Sequence, residues 1–82
     1  MNTVSNRALS DAIVVLNSEI KHLSALLESG EVDEELIEDT GEYVLQLQNS
    51  FGELVALYRA RQLAAPGMAT VEKLIGDELQ KQ

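Results

Sequence analysis

Glu19 and His22 stand three residues apart in the run Glu19-Ile20-Lys21-His22. In helical bundles that hold a pair of metal ions, this spacing points a carboxylate and an imidazole at the same metals. The heptad pattern described below puts His22 on the outward side of its helix, and the chain offers no second such motif. A homodimer would supply another copy, but both would face solvent. The favoured reading is an ordinary surface histidine, and no metal is expected. Nucleophilic catalysis lacks its activating partner, because Ser5, Ser10, Ser18, Ser24, Ser29 and Ser50 have no base within motif reach except that one histidine. Acid–base chemistry with paired carboxylates needs one of the pair buried, and here the acids crowd on a solvated tip. The absence of cysteine removes disulfides and thiolate metal sites. Gly41 and Gly52 form no phosphate loop, since no Gly-rich turn follows a strand and no strand is predicted. The chain is therefore expected to be neither an enzyme nor a cofactor carrier.

The acids themselves are the strongest chemical feature. From Glu28 to Glu42 the chain reads ESGEVDEELIEDTGE, eight carboxylates in fifteen positions with no Lys or Arg. On a helix, Glu34 and Glu38, Glu35 and Asp39, and Glu38 and Glu42 fall at i,i+4; Glu35 and Glu38, and Asp39 and Glu42, fall at i,i+3. The repulsion among these pairs totals on the order of 1–2.5 kcal/mol, only partly offset by the helix dipole acting on the first turn. Capping accounts for Asp33, Glu34 and Glu35. It does not reach Glu38, Asp39 or Glu42, which leaves three readings: solubility, orientation of self-assembly, or a surface for a basic partner.

The elements that position these residues follow from apolar spacing. Leu9, Ile13, Leu16, Ile20, Leu23 and Leu27 recur at alternating steps of four and three, a heptad seam that predicts a helix over roughly residues 5 to 29. Ser5 supplies an N-cap, and Ser29-Gly30 ends the helix because glycine tolerates the left-handed conformation. Asp33 is expected to cap a second helix over about 33 to 63, with Val32 stapled against Ile37 and a seam of Ile37, Thr40, Val44, Leu47, Phe51, Leu54 and Tyr58. Arg61 interrupts that seam. The run Ala64-Ala65-Pro66-Gly67 begins a linker over 64–69, and Thr70 caps a short third helix predicted over about 70 to 81, carrying Val71, Leu74, Ile75 and Leu79 on one face. By rise per residue the long helices measure about 37 Å and about 46 Å. A loop of so few residues forces them antiparallel, so that facing residue numbers sum to roughly 60 to 62.

The expected fold is all-α: one domain over 1–82, an antiparallel helical hairpin plus a short C-terminal helix. At this size a single core buries limited surface and self-association is common. Leu36, Tyr43 and Leu57 form a second apolar stripe beside the second seam, Val14 and Val15 lie off the first, and Tyr58 sits on the part of helix 2 that outruns helix 1. These six are the self-association candidates, and a coiled-coil homodimer making a four-helix bundle would cover them. Phe51 is expected at the centre of such a core. Gly41 and Gly52, eleven residues apart on nearly one face, suit either close approach by another helix or neutral drift. The layout over residues 5 to 63 resembles that of the small plasmid RNA-binding Rop proteins, whose dimers form antiparallel four-helix bundles. It shares no motif with them, and their RNA-binding face would need basic residues that this chain lacks, so no function or family is carried over.

Composition narrows the company the protein keeps. A net charge of −8, from 14 acidic and 6 basic residues, opposes direct nucleic-acid binding. The N-terminal run has neither a basic start nor the apolar core of a signal peptide, and no apolar stretch reaches the ~20 residues of a membrane span. A cytoplasmic, membrane-free protein is expected. The leading expectation is a small acidic interaction protein that binds or inhibits another protein with a basic surface, using Glu34, Glu35, Glu38, Asp39 and Glu42. The alternatives are a helical adaptor or chaperone-like subunit working through its apolar stripe, and a nucleic-acid mimic occupying a nucleic-acid-binding protein.

Overall fold

A computed structural model describes residues 4–76. Three helices occur in the order α1 (Asn6–Ser29), α2 (Glu34–Ala64) and α3 (Val71–Ile75). The Ser5 hydroxyl accepts the Ala8 N–H at 3.0 Å and so starts α1. Gly30 ends it at φ 79°, a left-handed conformation that costs glycine little. Ser29 then holds the turn twice: its hydroxyl donates to the Leu26 carbonyl at 2.9 Å and accepts the Glu31 N–H at 3.3 Å.

Asp33 precedes α2, but its side chain makes no cap hydrogen bond; its carbonyl instead accepts the Leu36 N–H at 2.8 Å. The start of α2 therefore rests on backbone bonding and on Glu34 and Glu35 at the positive end of the helix dipole. At the far end, the Ala65 N–H bonds back to the Arg61 and Gln62 carbonyls, and the Met68 N–H donates to the Ala65 carbonyl across Pro66-Gly67. Thr70 caps α3 through its hydroxyl, which accepts the Lys73 N–H at 3.1 Å. The α3 helix is described only as far as Ile75, and the expected extension to residue 81, with Leu79, lies outside the described residues.

Burial is concentrated where all three helices meet. Leu9 and Ile13 of α1, Tyr58 of α2 and Val71 of α3 are between 0 and 4 % exposed and form one cluster, with Phe51, Leu54, Val55, Met68, Leu74 and Ile75 packed around it. Tyr58 is the largest of the fully buried side chains, and its hydroxyl donates to the Ala69 carbonyl at 2.5 Å. The Gln62 amide reaches the Met68 and Ala69 carbonyls at 3.4 and 3.5 Å, and Arg59 pairs with Glu72 at 3.2 Å, so α2 grips the start of α3 at several points. Arg61, the residue that breaks the heptad, reaches the other way: its guanidinium donates to the Val4 carbonyl and to Asn6 Oδ1.

Away from this end the seam thins. Val44 is buried, but Leu16, Ile20, Leu23, Leu27, Thr40 and Leu47 are only half-buried, and Ile37 is 45 % exposed. Phe51 is half-buried in the single chain, packed against the edge of the buried cluster. Two helices meeting along one seam cover each side chain on one side only, and a second layer is needed to close the rest. In the described residues that second layer exists only where α3 lies.

Truncations should follow this gradient. Ile13→Ala is expected to lower unfolding free energy by ~2–5 kcal/mol, as a fully buried aliphatic does, whereas Ile37→Ala should cost less than ~1 kcal/mol although both belong to the heptad pattern. Urea titrations of the two variants make the comparison, and equal losses would show that the seam is uniformly packed.

Candidate functional site

The acidic residues Glu34, Glu35, Glu38, Asp39 and Glu42 are all exposed on the first turns of α2. None of them takes part in an ion pair among the described residues; the salt bridge there joins Arg59 to Glu72 at the opposite end of the hairpin. At 3.6 residues per turn, Glu34, Glu38 and Glu42 run in one row on the side of α2 turned away from α1, with Glu35 beside them. Asp39 lies further round, toward the stripe of Leu36 and Tyr43. The five acids thus present one outward row and one residue at the edge of an apolar face.

That apolar face is defined by where α3 is not. Ile13 and Val55 pack in the α3 cluster, and Gln62 and Arg59 bond to the α3 region, which fixes one face of the hairpin as the covered one. Helical geometry puts Val15 on α1, and Leu36, Tyr43 and Leu57 on α2, toward the other face. They are 64, 51, 48 and 42 % exposed. The remaining two self-association candidates separate from this group. Val14 is exposed on the opposite flank of α1 from Val15, and Tyr58 is not a surface residue at all, because α3 and α1 cover it within the same chain.

No cluster of three or more His, Asp or Glu side chains able to hold a metal occurs among the described residues. His22 is exposed, and Glu19 is half-buried beside it on the outer part of α1. Gly41 and Gly52 are also free of close neighbours: a Cβ placed on either would meet nothing within 4 Å, so nothing among the described residues requires their smallness. A shallow depression between α2 and α3, lined by Ala56, Ala60, Leu63 and Thr70 with Arg59 and Glu72 at its rim, was not visible in the sequence pattern. Its only charged groups are already paired with each other. No helix of the described residues is long and apolar enough to cross a membrane. No family model, no curated protein and no solved structure matches the chain.

Two substitutions test these placements. Gly52→Ala should stabilise the protein by ~0.5–1 kcal/mol, seen as a higher melting temperature, because it adds helix propensity without a clash; a loss would reveal a second helix lying on that strip. His22→Gln should change stability by less than ~0.5 kcal/mol and leave metal content at zero by elemental analysis.

Proposed function

We propose that this chain is a small non-enzymatic interaction protein that binds or inhibits a partner protein of basic surface, and that it does so as a homodimeric four-helix bundle in the cytoplasm. The observation that carries the reading is the outward row of Glu34, Glu38 and Glu42 with Glu35: exposed, with no ion pair among the described residues, and repelling one another on a helix whose local packing is thin. Glu34 and Glu35 also serve the helix dipole, but Glu38 and Glu42 repel their neighbours and form no ion pair among the described residues, so what they meet elsewhere explains them. Solubility alone would be served by acids dispersed over the surface.

Clustered charge acts mainly on encounter. It steers an oppositely charged partner and raises the association rate, and its effect weakens as salt shortens the Debye length. An adaptor working through the apolar stripe would instead bind in a salt-resistant way. The test is the double variant Glu38→Gln, Glu42→Gln, which removes four like-charge pairs and keeps good helix formers. Its thermal stability should equal or exceed that of the parent by up to ~1–2 kcal/mol. Capture of partners from host extract should fall with the variant and with rising salt. Equal capture by parent and variant at all salt concentrations would refute the acidic-surface reading.

A further inference from the structure

The stripe on the face opposite α3 has a spacing of its own. Leu36, Tyr43, Ser50 and Leu57 follow one another at steps of one heptad along α2, and Ala64 continues the row at its last residue. This row lies about a quarter turn around α2 from the side that meets α1, the angle at which a helix in a square bundle meets its second neighbour. Ser50, small and exposed, stands midway between Tyr43 and Leu57.

We infer that this row is the seam on which a second copy of the chain docks, antiparallel, with the two-fold axis passing beside Ser50. This rests on the dimeric reading above and specifies its face and register. About that axis Tyr43 meets Leu57 of the partner subunit, Leu36 meets Ala64 of the partner subunit, and the two Ser50 side chains meet each other. Ala8, Ala12 and Val15 give α1 a flank of small apolar residues on the same side, so α1 packs on its counterpart at the same level, and each α3 stays on the outside.

Charge selects the direction. The same register brings Asp39 level with Arg61 of the partner subunit, and both lie within a short arc of the seam; within its own chain Arg61 bonds neutral acceptors, the Val4 carbonyl and Asn6 Oδ1, which leave its charge to act on Asp39. A parallel pairing would instead set the two acidic turns against each other, each with eight carboxylates in fifteen residues. The acids then divide by role: Asp39 serves the assembly, while the row of Glu34, Glu38 and Glu42 stays outside it.

Light scattering on the eluting protein, together with cysteine variants of this cysteine-free chain, tests the seam. The parent should elute at twice the chain mass, and Leu57→Glu should raise the dimer dissociation constant by about thirtyfold or more. Leu45→Glu, on the other side of α2, should leave it unchanged. On oxidation Ser50→Cys should cross-link within the dimer and Asp39→Cys should not, because the antiparallel register separates the two copies of residue 39 by far more than a disulfide spans. Cross-linking of both overturns the orientation. A dimer in which Ser50→Cys fails to cross-link, or which is indifferent to Leu57→Glu, overturns the seam and leaves dimerisation standing. A parent of single-chain mass refutes the dimeric reading itself, without touching the salt-dependent capture by the outer acids.

Discussion

Burying a tyrosine at the end of a helix makes two demands at once: apolar cover for the ring and an acceptor for the hydroxyl. Tyr58 has both. Leu9 and Ile13 of α1 and Val71 of α3 cover the ring, and the Ala69 carbonyl, one residue before the α3 cap, accepts the hydroxyl. Without α3 the Tyr58 ring would keep only the cover of α1, and its hydroxyl would lose the Ala69 acceptor. Alone, a helix of five residues is far below the length that is stable in water, so α3 and the Tyr58 pocket each depend on the other.

That mutual dependence decides the asymmetry of the molecule. Once α3 lies on the face carrying Ile13 and Val55, the opposite face keeps Val15, Leu36, Tyr43 and Leu57 in water. The hairpin is also asymmetric along its length. Its packed end holds the buried cluster, Arg61 bound to Val4 and Asn6, and Arg59 paired with Glu72; its other end holds half-buried leucines and a row of acids with no ion pair among the described residues. Charge repulsion therefore acts on the end with the least packing to oppose it, which is where a surface adapted to a partner is least constrained by the fold.

The two long helices were legible because their signals are local. A heptad of aliphatics, a serine cap and a glycine stop fall within a few residues of the structures they specify, and both helix boundaries came within a residue of expectation. Two readings did not survive. Asp33 does not cap with its side chain, because carbonyl bonding to Leu36 meets the same need. Tyr58 is core rather than interface. A heptad identifies which side of a helix is apolar, but the depth of burial depends on how many layers lie over that side, and over Tyr58 the extra layer is α3.

The sequence by itself determined the all-α hairpin, the turn at Ser29-Gly30 and the concentration of carboxylates on the first turns of α2, since each is set by backbone preference and spacing over a few residues. The tertiary structure alone decided which face α3 covers, and with it which apolar residues remain in water. It also decided that Arg59 pairs with Glu72 and that Arg61 bonds the neutral Val4 carbonyl and Asn6 Oδ1, while the outer acids take part in no ion pair among the described residues. Those outcomes depend on contacts between residues far apart along the chain, as between Arg61 and Val4, and a periodic pattern carries no record of such meetings.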